Sequence, residues 1–310
     1  MKNILKKQRP IIFGEVLFDV LPDGVSILGG APFNVAWHLK GLGLSPLMIS
    51  RIGKDSYGDI IISSMKEWGM DTCGIQRDDN KPTGRVTVSF KNGQPSYKIL
   101  ADQAYDHIDE TEALSCIERQ NSFLLYHGSL SLRFYTTRTV FESLRTSLGV
   151  PGFYDLNLRK PWWNISIIKE HLRQNNWIKC NLDELKIISD RSIQTDIDLI
   201  SAAIQVIDKY DMELLIVTRG EEGASVFNRE NEGISVHSKI NEKDIVDTVG
   251  AGDAFSSVYI LGLIEDWPHT DILERAVDFA SRICKIKGAT IADHELYRFY
   301  RDSWSTENGS

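Results

Sequence analysis

The sequence predicts an α/β fold, a mostly parallel sheet with helices on both faces. Short apolar runs of strand length recur along the chain, and amphipathic stretches of helix length separate them. The runs cover 11–18, 47–51, 123–127, 152–155, 177–180 and 214–218, and the helical patterns cover 59–68, 136–148, 165–174 and 196–210. At 310 residues the chain can bury a large core, and the even alternation favours one main domain, 1–310, carrying an appendage. No internal repeat or low-complexity linker divides it.

One region breaks the alternation. Gly84-Arg85-Val86-Thr87-Val88-Ser89-Phe90 and Pro95-Ser96-Tyr97-Lys98-Ile99-Leu100 read as two alternating strands, joined by a turn containing Asn92-Gly93. That is a β-hairpin signal, which a βαβ unit cannot absorb. With the segment at about 20–28, the hairpin at about 84–101 is expected to form a small second sheet.

Composition excludes several function classes. A formal net charge of −8 argues against a nucleic-acid partner, whose phosphates call for a basic face. Cys73, Cys116, Cys180 and Cys284 lie far apart with no Cys-x-x-Cys pair, which fits reduced thiols better than a zinc site or a disulfide framework. No apolar run reaches the ~18 residues a membrane crossing needs. The apolar run after the basic start is broken by Glu15 and Asp19, so it does not read as a secretion signal. The expected location is the cytoplasm.

Two Gly-rich elements carry chemistry. In Asp247-Thr248-Val249-Gly250-Ala251-Gly252-Asp253-Ala254-Phe255, the glycines let an anion approach the backbone where an apolar helical pattern begins. The unpaired N–H groups and positive dipole end of that helix suit a phosphate. Asp253 would repel such a ligand, and it makes sense as a base that takes a proton from an attacking hydroxyl. A tight turn with a capping aspartate explains this string equally well on its own. The second element shifts the balance: Gly29-Gly30-Ala31-Pro32-Phe33-Asn34 runs into another helical pattern, with Pro32 suited to a first turn.

Together these strings resemble the PfkB family of carbohydrate kinases, with the ribokinase-like fold. Gly14-Glu15-Val16-Leu17-Phe18-Asp19 is similar to that family's first strand and sugar-binding aspartate. Asp155-Leu156-Asn157-Leu158-Arg159 is similar to a segment of fructokinases and 2-keto-3-deoxygluconate kinases. Asn181-Leu182-Asp183-Glu184 matches an Asn-x-x-Glu motif, and Val217 to Ala224 resembles the strand and turn that meet the nucleotide phosphates. Each string is weak alone, and their order is what carries the resemblance.

The resemblance implies a three-layer α/β/α sandwich with a small β-sheet lid that keeps water from the transferred phosphoryl group. It implies ATP-dependent phosphorylation of a small sugar: fructose first, with 2-keto-3-deoxygluconate, ribose or a nucleoside as alternatives. A catalytically silent sugar or nucleotide binder is the reading outside the enzyme class. Asp253 would be the general base, and Gly250, Ala251 and Gly252 would supply N–H donors to the developing charge. Asp19, Gly30, Asn34 and Arg159 would hold the sugar. Asn181 and Glu184 would order Mg2+ through water, while Thr218, Gly220 and Gly223 approach the nucleotide. Asp247 would help hold K+. Sugar and ATP are the expected partners, with a homodimer through the lid.

Overall fold

The computed structural model describes residues 8–91, 94–118, 120–230 and 233–307. Strand β1 (Arg9–Phe13) lies inside a nine-stranded sheet, two strands from one edge. On one side it pairs in parallel with β4 (Leu47–Gly53), and β4 with β5 (Ile75–Asp78). On the other side come β8 (Ser122–Gly128), β9 (Gly152–Asp155), β10 (Trp177–Asn181) and β11 (Leu214–Thr218), all parallel. Two antiparallel strands, β12 (Ala224–Asn228) and β13 (Gly233–Val236), finish that edge.

Both faces of the sheet are apolar, so both must be covered. Ile12 faces one layer, and Ile11 and Phe13 face the other. The first layer contains α1 (Ala31–Gly41), α2 (Ser56–Glu67), α8 (Ala251–Ile264), α9 (His269–Ile283) and α10 (His294–Glu307). The second contains α3 (Glu110–Ile117), α4 (Tyr135–Leu148), α5 (Ile165–Gln174), α6 (Leu182–Ser189) and α7 (Asp196–Tyr210). Helix α8 is buried on nearly every side from Asp253 to Ile264, as an apolar helix packed between others must be.

A second sheet of four strands runs β3 (Ser26–Gly29), β2 (Leu17–Val20), β6 (Gly84–Lys91), β7 (Gln94–Ile99). The predicted hairpin is present, and the Asn92-Gly93 turn lies outside the described residues.

The run at 11–18 departs from expectation, because it is two strands in two sheets. The chain leaves the large sheet at Gly14, whose φ of 148° places a would-be Cβ 2.5 Å from Pro32 Cγ. Leu17–Val20 then pairs with β3 and β6. Asp19 therefore sits in the small sheet and not at the end of the first large-sheet strand. An apolar run cannot by itself show where a strand changes sheets; the buried Glu15 inside this one marks the break.

Candidate active site

The sheet order reverses at β1, from which successive strands are laid down in both directions. In open α/β sheets the crevice at the carboxyl ends of the strands beside such a reversal is where ligands bind. A cavity of about 480 Å³ lies there, roofed by Val86, Tyr97 and Ile99 of the small sheet. Asp19, Gly30, Asn34, Arg159, Asn181, Glu184, Thr218, Gly250, Gly252 and Asp253 all line it.

Gly30 precedes α1 with φ 112°, and a Cβ there would stand 2.7 Å from the Glu15 carbonyl oxygen. Only glycine lets the helix start so close to the chain leaving β1. One turn on, buried Asn34 donates from Nδ2 to Asp253 Oδ2 at 2.7 Å. Its Oδ1, buried like Oε2 of Glu15, has no hydrogen-bond partner among the described residues. Both acceptors belong to residues that line the cavity.

Asp253 stands in the first turn of α8, behind Gly250 in the left-handed region at φ 82°. A Cβ on Gly250 would lie 2.4 Å from Ala289 Cβ. Burial is the main reason that the Asp253 carboxyl is pushed up to about 7; Asp155 adds to the rise, while Asn34, Lys179 and Arg159 oppose it. Burial also raises Asp19, against the pull of Arg159.

Glu184 accepts from the Leu158 N–H at 2.7 Å with Oε1 and from the Asn181 N–H at 2.9 Å with Oε2. Asn181 Oδ1 in return accepts from the Glu184 N–H, a capping box that starts α6. The Asn-x-x-Glu string thus fixes the strand end and the loop that carries Arg159 at once. Burial is the first cause of the upward shift of the Glu184 carboxyl.

A second cavity of about 270 Å³, largely apolar, adjoins the first and shares Thr218, Thr248 and Gly252 with it. Gly220, Gly223 and Ala251 line this one. Asp247 lies outside both sets of lining residues; it accepts from the N–H groups of Val249 and Gly288 and so ties the turn before α8 to the segment before α10.

The pfkB family carbohydrate kinase description matches residues 19–295. The chain belongs to this family. It is a sugar kinase of the PfkB type. Fructokinase-2 of Oryza sativa subsp. japonica is 27% identical over 311 residues, covering 91% of this chain and 89% of the relative. The fructokinase of Xylella fastidiosa, solved with bound ATP, superposes with a TM-score of 0.81 at 21% identity, covering 96% of this chain and 99% of that one. The 2-dehydro-3-deoxygluconokinase of Thermotoga maritima gives 0.77 at 18%, covering 95% and 99%. At those identities the two structures show the ribokinase-like fold alone.

Sequence reading of this PfkB kinase missed Lys179 and Asp155 as a pair. They face each other in register on β10 and β9, and Lys179 Nζ donates to Asp155 Oδ2 at 2.7 Å. The same oxygen accepts from Ser256 Oγ at 2.8 Å. Burial works most strongly against the Lys179 charge, but Asp155, with Asp253 and Glu184 adding to it, outweighs burial and the pKa is raised. The signal was there: a lysine inside the apolar string Trp177-Ile178-Lys179-Cys180 cannot be buried without a partner. Glu15 was missed in the same way.

Proposed function

We propose that this kinase transfers the γ-phosphate of ATP to a primary hydroxyl of a small sugar, with fructose as the leading acceptor and fructose 6-phosphate as the product. The observation that carries the reading is the meeting of the two cavities at Gly252, one residue from the buried Asp253. The polar cavity suits a sugar, and the apolar one suits a nucleotide base. The phosphoryl group would cross between them at the N-terminus of α8.

Asp19, Asn34 and Arg159 would hold the sugar, with its backbone approach at Gly30. The unpartnered oxygens of Asn34 and Glu15 call for hydroxyl donors, which a polyol supplies. Asp253, held by Asn34, would take the proton of the attacking hydroxyl. The N–H groups of Gly250, Ala251 and Gly252 would meet the charge on the phosphoryl oxygens, in a geometry that needs no rearrangement as the charge develops. Lys179 would add a buried positive charge close by, since a Cβ on Gly252 would lie 3.4 Å from Nζ.

Thr218, Gly220 and Gly223 would border the nucleotide. The residues present fit a Mg2+ held mostly by phosphates and water, with Asn181 and Glu184 in its outer contacts, where it would neutralise charge between the phosphates. K+ near Asp247 and a homodimer through the lid belong to the same reading, as does a cytoplasmic location.

Arg159 favours a second reading. Its guanidinium is the arginine lining the sugar cavity and could fork onto a substrate carboxylate, as a 2-keto-3-deoxygluconate kinase would require. ADP release from Mg-ATP with fructose, 2-keto-3-deoxygluconate, ribose, tagatose and adenosine, with K+ or Na+ as the salt, decides. The highest kcat/KM on fructose supports the first reading, and the highest on the sugar acid replaces it with the second. No turnover on any acceptor overturns both.

A further inference from the structure

The sugar cavity is closed by two pieces that come from distant parts of the chain, and one buried arginine holds both. Arg133 precedes α4, and its side chain is 2% exposed. It grips the equally buried Asp106 in a fork, Nε to Oδ1 at 2.9 Å and Nη2 to Oδ2 at 2.7 Å. Nη2 also donates to the Leu100 carbonyl at 2.7 Å and to the Tyr105 hydroxyl at 2.9 Å. Leu100 is the residue by which the chain leaves β7, so this bond fixes the exit of the lid hairpin. On its face the guanidinium stacks over Trp162, 4.4 Å from the ring centre. The backbone N–H of Trp162 in turn donates to the carbonyl of Arg159 at 2.7 Å.

The entry of the hairpin is pinned separately: Asp55 accepts from the Thr83 N–H and hydroxyl just before β6. Of the two anchors, the exit alone reaches the loop that carries Arg159. We propose that Arg133 is a positioning residue that joins the lid exit to the Arg159 loop, so that lid placement and Arg159 placement change together. This rests on the sugar-kinase reading for its effect on turnover, although the mechanical link does not. A planar guanidinium suits the task, since it forks onto a carboxylate in its plane while an indole covers its face. A lysine ammonium can face an indole as a point charge, but it cannot fork onto the carboxylate while lying flat against the ring.

The test uses Trp162→Leu, which keeps the ion pair and removes the stacking, beside Arg133→Lys, which keeps the charge and loses the fork. The first readout is amide hydrogen exchange without ligands. Linkage predicts faster exchange in both the lid strands and the 157–163 loop in each variant, with the large sheet unchanged. Faster exchange confined to the loop in Trp162→Leu, or no change in either region, overturns the proposal. If Arg133→Lys fails to fold, Trp162→Leu decides alone.

The second readout is kinetic. The KM for the sugar should rise roughly tenfold or more with the KM for ATP within about twofold, because small misplacements distant from the chemistry are enough for such losses. A purely structural role would instead lower the melting temperature and move both constants. A wild-type enzyme that phosphorylates no acceptor overturns the kinase reading, and the exchange data then judge the linkage by themselves.

Discussion

Asn34 and Asp253 are 219 residues apart in the chain and joined by a 2.7 Å hydrogen bond from the Asn34 amide to the Asp253 carboxylate. Asn34 lies one turn on from the start of α1 and Asp253 in the first turn of α8, so the bond clamps two helix N-termini against the same cavity. It also opposes the burial that makes the Asp253 charge unfavourable. Most of the expected behaviour of this site follows from that balance.

Asp253→Asn should remove turnover while leaving nucleotide binding intact. A positioned general base is worth roughly 10²- to 10⁴-fold in rate, so kcat should fall by that factor, with the dissociation constant for ADP unchanged by titration. A variant that keeps more than about half of wild-type kcat would assign the proton to another group.

The pH dependence has a definite sign. The base must be ionised, and its pKa in the free enzyme is about 7, so kcat/KM for the sugar should rise through that pH and level off above it. Stability runs the other way. The folded value lies above the ordinary 3.8, so the contribution of Asp253 is complete below 3.8 and is lost as pH rises through about 7. Asp253→Asn should therefore melt higher than wild type at alkaline pH, and the gap should close in acid. Melting curves at the two ends of that window check it.

Lys179→Met should be severely destabilising. It leaves Asp155 buried without its cation, and breaking one half of a buried pair costs about 3–5 kcal/mol. Replacing both partners, as Lys179→Met with Asp155→Leu, should recover much of the loss in denaturant melts. Activity should not recover, because the buried positive charge beside Gly252 is gone. Destabilisation of the double variant equal to the sum of the two single variants would show that the two residues act independently.

Gly250→Ala tests the turn before α8. Alanine is strained at φ 82°, and its methyl would meet Ala289 Cβ at 2.4 Å. The strained backbone alone costs about 1–3 kcal/mol. Because the same turn would aim the N–H donors, kcat should fall more than stability explains, while Gly149→Ala, at the end of α4 and outside both cavities, with an open Cβ position, should fold with only the strain of its φ of 58°. Matched melting and turnover measurements on the pair separate the two effects.

The sequence by itself determined what local rules can carry. Apolar runs of strand length predicted 152–155 and 214–218, which are β9 and β11, because a strand buried on both faces is mostly apolar along its length. The glycines at 30 and 250 marked helix starts whose positive φ values favour glycine over residues with a Cβ. Alternation at 84–100 predicted a hairpin outside the parallel sheet. Only the tertiary structure decided which of these pieces meet. Nothing local to Glu15 or Lys179 names what surrounds them: strand order puts Asp155 beside Lys179 and leaves Glu15 where the chain passes between sheets. At the split of 11–18 Gly14 passes so close to Pro32 that a Cβ would stand 2.5 Å from its Cγ, an approach from the next helix that no window around residue 14 contains. Hydrophobic period and turn chemistry act over a few residues, whereas electrostatic pairing and steric approach depend on distance in space. The sheet order sets that distance, and it emerges only when the layers pack.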